Sequence, residues 1–182
     1  MSSFPLKVPE AVTFEQAIAL TQSLLSQAEA GELSQPEIAT VIAELVKTEN
    51  GARGFFVTYL TSETSVVDNP STHVVQALQT SPEVVAELLV KNLAMSAAQA
   101  VFHRRNQNQE MAQGSEQVRQ RTVHLIELLE LPAVSDRLQQ LLETAATAEG
   151  RYKAFLERWN YDNEQRQVIC QVVQQVISEL KS

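Results

Sequence analysis

At 182 residues, 44% of them apolar and 20% charged, the chain can build a real hydrophobic core and is too apolar for wholesale disorder. Its 22 Asp and Glu against 14 Lys and Arg give a formal charge of −8, which argues against non-specific binding to DNA or anionic membranes. The single cysteine, Cys170, excludes an intramolecular disulfide framework and a Cys-rich zinc site, and five Gly with six Pro are too few turn residues for an all-β fold.

Met1 to Phe14 contains Pro5, Lys7, Pro9 and Glu10 and has no continuous apolar run, so it does not read as a secretory signal peptide. Residues 1–12 are expected to form an extended or disordered arm. Thr13 and Gln16 then make a capping-box start, after which Phe14, Ala17, Ile18, Thr21, Leu24, Leu25 and Ala28 keep helical spacing up to a left-handed cap at Gly31. Ser34, Pro36 and Glu37 open a second helix with Ile38, Val41, Ile42 and Leu45 inward, so the pair reads as an antiparallel hairpin. Asn50-Gly51 reads as a break. Gly54 to Leu60 has strand-like composition but no second strand to pair with, so a short buried helix is expected, with strand as the alternative. Thr61 to Ser71 reads as a loop, followed by a brief helix over about 72–78.

Ser81-Pro82-Glu83 starts the longest helix, which runs to about Asn106. Its apolar stretch Val84 to Phe102 is interrupted by Glu87, Lys91 and Asn92 and reads as a core helix, not a membrane span. Polar residues 107–114 lead to a turn at Gly114-Ser115. The next helix ends near Leu131-Pro132, and another begins at Ser135-Asp136 and ends before Gly150. A short helix then carries Tyr152, Phe155, Leu156 and Trp159 on one side. These aromatics with Tyr161 read as core packing, with peptide recognition or base stacking as the other possibility. Asp162 and Gln165 cap a final helix whose Val168, Ile169, Val172, Val173, Val176, Ile177 and Leu180 form an apolar band wider than one side needs. That helix is therefore either central or an oligomer contact. No repeat of fixed period occurs. The expected fold is all-α: one domain over residues 1–182, a bundle of about seven to nine helices built from antiparallel hairpins.

The stretches GFFVTYLTSE, VKNLAMSAAQAVFHRRN and FLERWNYDNEQ, with heavy Gln usage, resemble uncharacterised all-helical cyanobacterial proteins. The resemblance covers most of the chain from Gly51 onward. It implies a bacterial cytoplasmic protein and brings no assigned activity and no residue role.

Familiar chemistries leave no signature. There is no Gly-rich phosphate loop, no Gly-x-Ser-x-Gly elbow and no Glu-x-x-His pair for a di-iron site. His103 and His124 sit on consecutive helices, but nothing brings His73 to them, so no metal ligand is assigned. Cys170, inside the last apolar band, reads as a small buried hydrophobe.

One anomaly stands out on the longest helix. Projected at 100° per residue, Glu87, Lys91, Ala94, Ala98 and Arg105 form its solvent face, while Asn92, Ser96, Gln99 and His103 fall among Leu88, Leu89, Leu93, Met95, Ala100 and Phe102. On the following helix, Glu116, Gln120, Glu127 and Glu130 mark the polar side, and Val118, Leu125, Leu128 and Leu129 the inner side. Arg121 projects among the inner residues, and a buried guanidinium is costly unless paired. Residues 91–121 hold five Lys and Arg against two Glu, a net +3, which leaves −11 for the remainder. Arg104 and Arg105 also suit a helix C-terminus.

Three readings of Asn92, Ser96, Gln99, His103 and Arg121 remain open: an internal hydrogen-bond network with a Glu on Arg121, an interface with another subunit or partner, or a pocket for a small anion. The function expected is a non-enzymatic protein-interaction or regulatory module that self-associates or takes a protein partner. The alternative is a small-anion sensor using the Asn92/Gln99/His103/Arg121 face. Neither a cofactor nor a nucleic-acid partner is expected, no residue is assigned to catalysis, and the location expected is cytoplasmic.

Overall fold

A computed structural model describes residues 6–181. Among them are nine α-helices, one short 3-10 helix and no strand, so the fold is all-α. The chain divides into two compact units, residues 1–88 and 89–182. The first holds α1 (Phe14–Glu29), α2 (Gln35–Leu45), α3 (Glu49–Thr61), the 3-10 turn Ser65–Asp68, α4 (Thr72–Gln79) and the start of α5 (Pro82–Arg105). The second holds the rest of α5, then α6 (Gln109–Leu129), α7 (Pro132–Thr147), α8 (Lys153–Arg158) and α9 (Asn163–Lys181).

In the first unit, local chemistry sets the helix starts. Gln16 N donates to Thr13 Oγ1 at 3.0 Å and Thr13 N donates to Gln16 Oε1 at 2.9 Å; Ser34 and Glu37 repeat the reciprocal pair at α2. The backbone bond from Ser34 holds the Glu37 carboxyl below its ordinary pKa. Gly31 follows α1 at φ +72°. Part of the expected arm, residues 1–5, lies outside the described residues; residues 6–12 form no helix or strand, and Val12 is buried.

The Gly54–Leu60 run is helical, as the lack of a pairing strand required. Asn50-Gly51 does not break the chain there. It sits in the first turn of α3, where Gly51 N donates to the capping Thr48 Oγ1 at 3.1 Å. The glycine serves close packing instead of a turn, because a Cβ built on Gly51 would lie 2.1 Å from the Leu45 carbonyl oxygen. α1 packs chiefly on α3 and α2 on α4. Phe55, Phe56 and Leu60 are fully buried, with the two Phe rings edge to face at 5.0 Å. The segment after α3 is not all loop, because buried Val67 anchors the 3-10 turn and Tyr59 Oη donates to its carbonyl at 3.3 Å.

In the second unit, the turn between α5 and α6 lies at 106–108, not at Gly114. Gln107 takes φ +56°, and Met111 N donates to the capping Asn108 Oδ1 at 3.2 Å. Gly114 lies inside α6 with open space around it, so nothing there requires a turn. Likewise α7 begins at Pro132, three residues before the expected Ser135-Asp136, since proline is itself a good first helical residue. α7 packs on α9, and Asp162 and Gln165 exchange backbone bonds of 3.0 Å at the α9 start. Within α8 and its flanks, Tyr152, Leu156 and Tyr161 are buried, but Trp159 is exposed because the helix stops at Arg158, before a full second turn.

Candidate functional site

α5 has apolar or small residues on almost every side, and its burial reflects that. It is long and apolar enough by composition to cross a membrane, yet 61% of its most apolar window is buried within the protein. Two members of its projected solvent face, Ala94 and Ala98, are fully buried. The following elements cover that stripe. Lys91 Nζ stands 5.6 Å from the Phe155 ring centre, buried Gln165 Nε2 donates to the Ala98 carbonyl at 3.1 Å, and Arg105 grips Asp162 and Glu164. Arg105 Nη1 and Nη2 donate to the two Asp162 oxygens at 2.5 and 3.0 Å, and its Nε donates to Glu164 Oε1 at 2.9 Å. Alanine reads as neutral in a periodicity argument, but its small size lets another chain segment reach the helix backbone.

The rotation of α5 changes the meaning of the polar stripe. Phe102, projected inward, is 48% exposed and stacks edge-on with His103 at 5.4 Å. Asn92, Gln99 and His103 are half-buried. Ser96 is 5% exposed, and its hydroxyl donates to the Leu93 carbonyl in its own helix at 3.0 Å. Arg121 is buried as projected, 5% exposed, and engaged by a neighbour. Arg104 pairs with Glu116 across the α5–α6 turn. Glu116 also receives Arg119 at 2.5 Å. Burial works to raise the Glu116 pKa, but the two guanidinium groups outweigh it and hold the carboxyl low. On α6 the inner face is Ala112, Thr122, Leu125, Ile126 and Leu129; Leu128, read as inward, is exposed.

A shallow groove lies between α6 and α9, where two adjoining depressions of about 490 and 310 Å³ share Glu127 and Glu179. Half-exposed Val123, Val172 and Leu180 line it beside buried Val176 and Ile126. Arg119 and His124 border one end, Glu130 the other, and Glu127 and Glu179 the join between the two depressions. The excess width of the α9 band was the signal for it. α9 buries Ile169, Val173 and Val176 and leaves Val168, Val172, Ile177 and Leu180 partly open.

His73 and His124 are exposed, and among the described residues no group of three or more His, Cys, Asp or Glu is placed to hold a metal. Cys170 is half-buried rather than fully buried. Burial still pushes its thiol pKa up, against a smaller opposing effect of Arg166, so the thiolate nucleophile is disfavoured.

Comparison with curated proteins and with solved structures found no match. Residues 13–176 match a family model, so α1 and most of α9 fall within it. The chain is a member of the family described as uncharacterised conserved protein UCP020893.

Proposed function

We propose that this chain is a non-enzymatic protein-interaction module that self-associates through the groove between α6 and α9. The observation that carries the reading is an apolar floor of Val123, Val172 and Leu180 left partly open beside buried Ile126 and Val176. The groove is also polar along its length. Arg119, held by Glu116, stands at one end, Glu130 at the other, and Glu127 and Glu179 where the two depressions join. A second copy of the chain carries the same half-open apolar floor, and a two-fold axis across the groove lays the two floors on one another.

Light scattering over a concentration series tests it. The wild type is expected to form a dimer, and Val172→Glu, which places a carboxylate on the floor of the groove, is expected to yield a folded monomer with unchanged helical circular dichroism. A wild type that stays monomeric up to its solubility limit overturns the proposal, as does a Val172→Glu protein with the parental mass.

A further inference from the structure

The chain holds a single Asn-Gly pair, Asn50-Gly51, and it lies in the first turn of α3 with the Asn50 side chain exposed. An asparagine followed by glycine is open to a reaction of its own. The backbone nitrogen of the next residue attacks the side-chain Cγ, and glycine has no Cβ to obstruct it. The new bond joins Gly51 N to Asn50 Cγ, the Cγ–Nδ2 bond breaks, and ammonia leaves with the amide proton, closing a succinimide ring. Water then opens the ring at either carbonyl and leaves aspartate or isoaspartate at position 50. No oxidant, reductant or cofactor takes part.

The fold opposes the first step in three ways. Gly51 N donates its hydrogen to Thr48 Oγ1 at 3.1 Å, so the nitrogen that must lose its proton to attack is already bonded. Ala52 N donates to the Thr48 carbonyl at 2.9 Å and closes the same turn, which keeps Asn50 in helical dihedrals that the ring cannot form from. Gly51 is buried, and a Cβ there would stand 2.1 Å from the Leu45 carbonyl oxygen, so its peptide cannot swing without leaving its seat against the end of α2. All three constraints are local to the start of α3, and a helix end opens without the rest of its unit unfolding.

We propose that Asn50 is a site of spontaneous deamidation held shut by the Thr48 cap, so that modification proceeds only through opening of the first turn of α3. The two products differ in what they do to the helix. Aspartate adds one negative charge at a helix N-terminus, where the macrodipole favours it, and the turn closes again. Isoaspartate routes the backbone through the side chain and lengthens it by a methylene, beside a glycine with no room at the Leu45 carbonyl, so the turn cannot close as before. The reaction is a one-way record of opening in the first compact unit, and it stands whether or not the chain dimerises through the α6–α9 groove.

The test is incubation at mildly alkaline pH well below the Tm. Peptide mapping by mass spectrometry reads the amide-to-acid conversion at position 50, chromatography parts the two products, and the chain unfolded in urea gives the unguarded rate. The folded wild type is expected to react at least about tenfold more slowly than the unfolded chain. Thr48→Ala is expected to speed the folded protein about fivefold, the factor by which a lost threonine cap favours the open turn, and Thr48→Ser to keep the wild-type rate. Ser34→Ala removes the cap of α2 instead and is expected to leave the rate unchanged, which separates local opening from global unfolding. The proposal fails if the unfolded chain keeps its Asn50 amide, or if folded and unfolded chains react alike. It fails equally if Thr48→Ala, folded by circular dichroism, reacts at the wild-type rate, or if Ser34→Ala speeds the reaction as much as Thr48→Ala does.

Discussion

A Cβ built on Gly54 would lie 2.4 Å from that of Ala17, 2.7 Å from the Phe14 carbonyl oxygen and 3.1 Å from Ile18 N. Two of those three neighbours are backbone atoms of α1, which no rotamer change can move aside. Replacing a helical glycine with alanine gains up to about 1 kcal/mol in helix propensity, whereas overpacking a tight contact costs about 1–3 kcal/mol. The clash wins here, and Gly54→Ala is expected to lower stability by about 1–2 kcal/mol in urea denaturation, with an unchanged or higher Tm as the contrary result. Asp162 offers a pH test of the Arg105 grip. Its carboxyl is held down from 3.8 to about 2, first by the side-chain bond from Arg105 and then by the backbone bond from Gln165. A depressed folded pKa contributes stability that is whole above about pH 4 and is lost as pH falls through about 2. Asp162→Asn keeps a good helix cap but has no carboxylate to take up a proton, so its Tm is expected to decline less than that of the wild type between pH 4 and 2. Equal slopes would show that the Arg105 pairing adds nothing in solution.

Helix existence was legible because caps and apolar spacing are local: Thr13/Gln16, Ser34/Glu37 and Asp162/Gln165 make the bonds that their spacing implies. Helix orientation was legible only where one face was clearly polar. On α5 the periodicity had no dominant direction, so the projection took the small residues Ala94 and Ala98 as solvent-facing although both are fully buried. Arg121 was read correctly because a lone cation among Leu125 and its neighbours is a strong signal. Its partner was beyond reach, since that depends on which element packs there. Arg121→Ala strips one member from a buried polar contact and is expected to cost about 3 kcal/mol by urea denaturation. A loss well under 1 kcal/mol would show that Arg121 makes no net contribution there.

At the scale of the molecule, the division of the chain into two compact units falls within α5, between Leu88 and Leu89, where no change of composition marks a boundary. Self-association through the α6–α9 groove carries a thermodynamic signature, because a partner that binds only the folded state raises stability with its own concentration. The Tm of the wild type is therefore expected to climb with protein concentration and that of Val172→Glu to stay flat; a flat wild-type Tm contradicts dimerisation. By itself the sequence determined the all-α class, the existence of nearly every helix, the capping boxes of α1, α2 and α9, and the burial of Arg121, all of which follow from local bonding and from the cost of burying charge. Only the tertiary structure decided which side of α5 is covered, that the α9 band is open along Val172 and Leu180, and that the Tyr161 hydroxyl and Arg166 Nε are buried without hydrogen-bond partners. Those facts depend on which surfaces meet across long stretches of chain, and apolar spacing says that a face is buried without saying against what.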